Sequence, residues 1–204
     1  MHTLVFESIA FAVYFVYGSF FEWFFHRYCF HAPKLFPRMF KAHTIVHHQV
    51  YKGDDSYVVH SHDNPEKVTM DWWAMPAMVL FHLPLFIGVQ WLTGIPSAWG
   101  GIAAVVVYFG LYESLHWVMH VPDSAPLVSR TRLFKFLAQH HKVHHRYMLS
   151  NLNVILPVAD LVLGTLRDGN GKRVVIFQAK KKIPMSKKQD IPAQPVKYTP
   201  ETIS

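Results

Sequence analysis

The six residues His140-His141-Lys142-Val143-His144-His145 place four histidines within less than two turns of a predicted helix. Because a helix turns by about 100° per residue, His141, His144 and His145 fall on one face about 100° wide. Three neutral imidazoles that converge from one helical turn suit a transition metal such as iron, zinc, copper or nickel. The alternative is a surface run of histidines without a ligand. Three other segments repeat the pattern, which favours the metal.

The composition favours a membrane protein over a soluble domain. Of the 204 residues, 51% are hydrophobic and only 16% are charged, whereas about a quarter are charged in a typical soluble domain. This length fits one domain. Cys29 is the single cysteine, which excludes an intrachain disulfide framework. The net charge of +7 indicates an anionic membrane surface as partner and no nucleic acid, because the basic residues lie beside apolar segments.

Three apolar segments are long enough to cross a bilayer as helices, at residues 4–25, 72–92 and 97–118. The first has neither a positive segment before it nor a small-residue cleavage site, so we interpret it as a transmembrane helix and not as a signal peptide. Tryptophans flank the second, as expected at membrane interfaces. The predicted fold is therefore an all-α, multi-pass membrane protein.

The remaining segments are shorter or more polar. Residues 121–139 indicate a surface connection followed by an amphipathic helix, whereas residues 152–166 are apolar but too short to span, so we expect a re-entrant or interfacial segment. From these patterns we predict one membrane-embedded domain at residues 1–178. Residues 179–204 form a basic polar tail, disordered or lying on lipid headgroups.

Charge determines the predicted orientation. With three spans, residues 26–71 and 119–204 lie on the same side of the membrane, and all 20 lysines and arginines belong to these two segments. The positive-inside rule places this side in the cytoplasm. The histidine clusters, which lie at the span ends or in these same segments, can therefore meet there in a cytosolic helical cap.

Ten histidines in four clusters are candidate metal ligands: His26 and His31; His43, His47 and His48; His116 and His120; and His141, His144 and His145. Ten exceed the needs of one ion, since a zinc site takes about four ligands. Two ions with four or five imidazoles each fit the number. The first pair lies about 140° apart on an ideal helix and converges only if the helix ends or bends between them.

Other polar side chains are candidates for supporting roles or for none. Glu22 precedes His26 by one helical turn and Glu113 precedes His116 by three residues, so either carboxylate could orient an imidazole through its second nitrogen. Four further histidines are not expected to be ligands: His60, His62, His82 and His140. Of these, His82 lies in mid-span and is expected to be a satisfied buried histidine or a cavity wall.

In these four histidine clusters, called histidine boxes below, the chain resembles the fatty acid hydroxylase superfamily. That superfamily includes sterol desaturases, sphingolipid and fatty acid hydroxylases, and carotenoid ring hydroxylases. The resemblance covers about residues 20–166, including the segment that follows the last box. One departure is the second box, where three residues separate His43 from His47 and the closest lipid hydroxylases commonly have two. The resemblance implies a histidine-ligated dimetal centre, usually taken as di-iron, that activates O2.

The leading hypothesis is thus an oxidoreductase, a monooxygenase that hydroxylates or desaturates an acyl, sterol or isoprenoid lipid taken from the bilayer. The chain has no flavin, haem or ferredoxin signature, so we expect electrons from a separate reductase, ferredoxin or cytochrome. A membrane haem carrier with two histidine ligands would need them facing each other inside the spans. A metal transporter would need more ionisable residues in the spans than Glu7 and His82. A zinc protease would need H-E-x-x-H, which is absent.

Overall fold

The computed structural model describes residues 2–63, residue 65 and residues 69–175. Within them lie eight α-helices: α1 His2–Phe25, α2 Pro37–Phe40, α3 His48–Val50, α4 Ala74–Thr93, α5 Ala98–His120, α6 Pro126–Ser129, α7 Arg132–Arg146 and α8 Val158–Val162. Two π-helical segments and three 3-10 turns complete the helical structure: His26–Phe30, Lys41–His47, Asp55–Tyr57, Ser61–Asp63 and Pro122–Ser124. These ranges contain no strand, only an isolated bridge between Arg167 and Arg173. The predicted tail, residues 179–204, lies outside the described residues.

The three predicted membrane spans are confirmed as helices of sufficient length and apolarity. They are α1, which continues through the first π-helical segment to Phe30, and the helices α4 and α5. Most of each span faces outward. In the most apolar stretch of each helix, only 11% of α1, 11% of α4 and 33% of α5 is buried inside the protein. Apolar side chains that face outward over such lengths are expected of helices that contact lipid.

Small residues allow α1 and α5 to pack closely. A Cβ atom on Gly100 would lie 2.2 Å from the carbonyl oxygen of Glu7, and one on Gly18 would lie 2.8 Å from the Tyr108 ring. The Glu7 carboxylate also accepts a hydrogen bond of 2.6 Å from the Gly100 amide at the start of α5. Small residues let membrane helices approach, and this contact explains the charge of Glu7 without a transport path.

The histidine run at residues 140–145 is helical, as predicted, and forms the last part of α7. Thr131 caps this helix by accepting a hydrogen bond from the Phe134 amide. Phe134 and Leu137 are buried in a core cluster that also contains Met119, near the end of α5. This apolar face of α7 holds the helix against the end of α5, so the histidines of both helices can face each other.

The segment at residues 152–166 is apolar mainly because it packs inside the protein. Only Val158–Val162 is helical in it, and Leu152, Val154 and Ala159 have no exposed surface. A smaller part, at Val162 and Leu163, is exposed and fits the predicted interfacial position. Hydropathy alone could not separate these two causes.

Candidate metal centre

The histidine boxes meet at one end of the bundle of α1, α4 and α5, where their ten imidazoles form two groups. Within each group, one ring nitrogen from every histidine lies within 4.8 Å of the others. Group one consists of His26, His31, His43, His48 and His144. Group two consists of His47, His116, His120, His141 and His145. The groups adjoin each other, since the rings of His48 and His145 stack with centroids 4.2 Å apart.

A π-helical turn brings His26 and His31 together. The hydrogen bond from the His31 amide to the His26 carbonyl joins residues i and i+5, at 3.1 Å. In this geometry residue i+5 lies over residue i, so the two imidazoles stack with centroids 5.0 Å apart and planes 14° apart. The α-helix ends at Phe25, and the π-helical turn His26–Phe30 supplies the departure from ideal α-helical geometry that the convergence of the two histidines requires.

The second box is divided between the groups. The rings of His43 and His47 stack with centroids 5.1 Å apart, but the segment Lys41–His47 is π-helical and pairs His43 with His48 in group one. Their Nε2 atoms are 3.1 Å apart, whereas His47 belongs to group two. A π-helix accommodates one more residue per turn than an α-helix. The π-helical turn thus accommodates the third residue between His43 and His47, where two residues are common in similar lipid hydroxylases.

The run in α7 is also divided, which corrects the idea that one ion would take all three of its histidines. His141 and His145, at i,i+4, belong to group two with Nε2 atoms 3.0 Å apart. His144 belongs to group one, because it lies about 100° around the helix from His145 and its ring stands at 87° to that of His145. One helix therefore contributes to both groups.

Backbone carbonyls orient four of the imidazoles. The Nδ1 atom of His26 donates to the Leu152 carbonyl at 2.6 Å, and that of His144 donates to the Ser150 carbonyl at 2.9 Å. In group two, His120 and His145 donate in the same way to the carbonyls of Tyr57 and Tyr51. A carbonyl only accepts, so each Nδ1 carries the proton and each Nε2 has a free lone pair. Such outer contacts fix the tautomer that binds a metal.

The nitrogen spacing in group one matches that of several ligands on one ion. Consecutive Nε2 atoms are 2.9 Å apart for His26 and His43, 3.2 Å for His48 and His144, and 3.1 Å for His31 and His144. Two imidazole nitrogens at right angles, each about 2.1 Å from one ion, would lie about 3.0 Å apart.

These imidazoles are also neutral, as metal ligands must be. Burial, together with the neighbouring imidazoles, lowers the pKa of His31 to about 2. Burial likewise lowers the pKa of His144 to about 4.

Three of the five histidines outside the candidate set lie beside carboxylates. His140 lies 3.2 Å from the buried carboxylate of Asp160. His60 and His62 are largely exposed beside Asp123 and Asp63. None of them belongs to either group.

Asp160 supports the loop that orients group one. Its carboxylate accepts hydrogen bonds from the amides of Leu152 and Asn153 and from the Thr165 hydroxyl, at 2.9, 2.8 and 2.6 Å. Burial alone would raise the pKa of Asp160, but these bonds and His140 hold it below its usual value. The charged carboxylate thereby fixes the segment whose carbonyls receive His26 and His144. The sequence did not indicate this role, because the ligands' partners are backbone atoms.

Glu22 does not orient His26, which corrects that expectation. Its carboxylate instead accepts from the Tyr108 hydroxyl at 2.6 Å, from Asn153 Nδ2 at 3.1 Å and from the Val154 amide at 2.7 Å. The Glu22 side chain points towards α5 and the segment at residues 153–154. The Leu152 carbonyl, and not Glu22, accepts the hydrogen bond from His26 Nδ1. Glu113 accepts from the Met70 amide at 2.8 Å, and its expected action on His116 stays a prediction.

A family model described as fatty acid hydroxylase matches residues 11–165 of the chain. The match includes all four histidine boxes and the helix α8, which carries Asp160. The chain belongs to the fatty acid hydroxylase family. Comparisons with curated proteins and with solved structures found no match.

In this family member an apolar cavity leads through the spans to group one. It lies between α1, α4 and α5 and contains about 690 Å³ of space free of protein atoms, part of it open to the surroundings. Its walls run from Tyr14 to His26, about 18 Å at 1.5 Å per residue. His26 is the one ligand candidate that lines the cavity. Group one therefore borders the cavity, and none of the group-two histidines lines it.

Proposed function

We propose that this protein is an O2-dependent, di-iron membrane oxygenase that hydroxylates, or less readily desaturates, an acyl, sterol or isoprenoid lipid. Membership of the fatty acid hydroxylase family supports a lipid oxygenase of this type. The observation that carries the proposal is the junction of two five-imidazole groups with an apolar cavity at His26.

The residues present fit a pair of iron ions. Imidazole is a suitable ligand for iron, and group one and group two would hold one ion each. In group two the Nε2 atoms of His47, His116 and His120 are buried with no hydrogen-bond partner among the described residues. Such orphaned nitrogens are costly in a protein interior unless a ligand satisfies them. A cation would satisfy them all.

Bound iron would supply the oxidation of an unactivated C–H bond by O2, in which one oxygen atom enters the product and the other leaves as water. The two electrons come from a separate reductase, ferredoxin or cytochrome, and the two protons come from water. The chain itself aligns the lipid along α1 and delivers one end of it to His26. Apolar walls at Phe21, Phe25 and Phe30 keep water from this path.

The proposed location is an integral membrane protein with the metal centre in a cytosolic helical cap. The support for this orientation is the distribution of charge, because every lysine and arginine belongs to the segments on the side of the histidine boxes. Lipid substrate would enter from the bilayer, whereas the electron donor would approach from the cytoplasm.

Expression of the protein in a host, followed by comparative lipid mass spectrometry, tests the proposal. We expect about two irons per chain and a lipid that gains one oxygen atom. This product should disappear in His144→Ala and in His145→Ala, which remove one ligand from each group. His60→Ala, at an exposed histidine outside both groups, is the control and should retain it. Unchanged product in both ligand variants would refute the proposal.

A further inference from the structure

His82 is a polar side chain inside the membrane that the metal centre does not use. It lies near the middle of α4, has 3% of its surface exposed and lines the cavity. Ionisable residues at this depth are costly and are often functional. Its position away from both histidine groups calls for another explanation.

One nitrogen of His82 has a fixed role. Nδ1 lies 2.8 Å from the Met78 carbonyl one helical turn earlier, and since a carbonyl only accepts, Nδ1 carries the proton. In the neutral imidazole Nε2 is then an acceptor. Phe21 meets the ring edge to face at 4.5 Å, and Phe86 stacks on it at 5.8 Å. These contacts hold the imidazole in one orientation.

The other nitrogen of His82 has no protein partner. No residue described in the structure donates a hydrogen bond to Nε2. Nε2 is also not fully enclosed by protein atoms. The ring lines the cavity and is otherwise almost fully enclosed by the protein. An acceptor that stays unsatisfied in apolar surroundings costs free energy. The cavity therefore presents a fixed acceptor to whatever occupies it.

We propose that His82 Nε2 accepts a hydrogen bond from a hydroxyl group on the lipid in the cavity, so that the protein prefers a hydroxylated lipid. This inference rests on the proposed function, because it assumes that a lipid occupies the cavity. A hydroxyl can donate to Nε2, whereas a ketone or ester oxygen cannot.

The position of His82 also predicts where the hydroxyl lies on the substrate. Its ring contacts Tyr17 and Phe21 of α1, a level roughly 10 Å from His26 at 1.5 Å of rise per residue. The carbon that reaches His26 is therefore separated from the hydroxyl by roughly 10 Å of apolar chain or ring. Hydroxylation there would give a product with two distant hydroxyl groups.

Competition for a photolabel tests the inference on the full chain in nanodiscs. The label is dodecane with a diazirine group, and its attachment site is mapped by peptide mass spectrometry. Dodecanol, the matching methyl ketone and dodecane compete at matched mole fractions in the bilayer, which removes differences in partitioning. The chains compared are wild type, His82→Phe, His82→Gln and Leu80→Phe. Leu80 lies on the lipid-facing side of α4, with 67% of its surface exposed, and is the matched control.

In wild type and in Leu80→Phe we expect dodecanol to compete at about a tenfold lower mole fraction than dodecane or the ketone, the effect of one net hydrogen bond. His82→Phe keeps an aromatic ring of similar size but has no acceptor, and should make the three probes equal. His82→Gln retains an acceptor and should restore part of the preference. Equal thermal melting of the variants shows that each is folded.

Two results would overturn the inference. One is equal competition by the three probes in wild type, as expected if a water molecule satisfies Nε2. The other is a preference for dodecanol that persists in His82→Phe. In either case an oxygenated lipid that still depends on His144 would leave the proposed function intact. If formation of the oxygenated lipid does not depend on His144 but the preference for dodecanol remains, the proposed oxygenase function is refuted and the binding site at His82 is not.

Discussion

Group one and group two contain the same number of imidazoles, but different structures hold them. Group two takes two i,i+4 pairs from the regular helices α5 and α7. Group one takes two i,i+5 pairs that span the π-helical segments His26–Phe30 and Lys41–His47. His144 of group one comes from the regular helix α7, and His48 is the first residue of the short helix α3, whereas His47 of group two ends the second π-helical segment. Since π-helical turns often occur at functional sites, the difference indicates that the backbone of group one is shaped by function.

The surroundings of the two groups differ in the same sense. Group one borders the cavity at His26, and the loop carbonyls of Ser150 and Leu152 orient its histidines. Group two lies against the rings of Tyr51 and Tyr57, at 4.3 and 4.6 Å from the His120 ring. The number of imidazoles therefore does not distinguish the two groups, whereas their backbone support and their access to the cavity do.

Removal of the metal should affect both groups and give the largest effect. Chelation of the iron-loaded protein leaves ten imidazoles, nine of them buried, without a ligand. Because a ligand that binds only the folded state stabilises it, we expect the melting temperature to fall by about 10 °C. A thermal melt followed by tryptophan fluorescence measures the change. Readdition of iron should restore the original value, and equal melting of both forms would exclude a metal in these groups.

Asp160→Asn should separate the groups. The amide can no longer accept from all four of its partners, and the loop that orients group one loosens. We expect a loss of about 3 kcal/mol of stability and about half of the wild-type iron, because outer contacts of this kind support metal affinity. Iron analysis and thermal melts measure both. The exposed Asp55→Asn is the control, and full iron content in Asp160→Asn would show that the loop does not support group one.

Glu22→Gln should have a smaller effect on the same side of the molecule. The amide keeps the shape of the side chain but loses one acceptor, so we expect a loss of about 1–2 kcal/mol. Tyr108→Phe removes a single one of the three donors to Glu22 and should cost about 1 kcal/mol. Thermal melts compare the two variants. A larger loss in Tyr108→Phe than in Glu22→Gln would contradict the hydrogen-bond assignment.

Tyr57→Phe tests the support of group two and should have the smallest effect. The Tyr57 hydroxyl makes a long hydrogen bond of 3.3 Å to the Ala138 carbonyl, while its backbone carbonyl, which receives His120, is unchanged by the substitution. We expect a loss below about 1 kcal/mol and full iron content. Iron content reduced to that of Asp160→Asn would show that group two depends on this side chain after all.

Much of the architecture was predictable because hydropathy and helical periodicity are local properties. The three spans were located from apolar length, and the helical form of residues 140–145 followed from the spacing of its histidines. The ten histidines that the boxes indicated do lie together. The partner of Glu22 was not predictable, since its distance from His26 along the helix does not show which way the side chain leans.

The sequence by itself thus determined which residue types meet and at which end of the spans. Box spacing and apolar length depend on neighbours in the chain, and both can be read from the order of residues. Only the tertiary structure decided how the ten imidazoles divide into two groups. That division depends on π-helical turns in two boxes and on contacts with carbonyls from distant segments. It therefore arises from packing, through which His144 and His145, adjacent in sequence, join different groups.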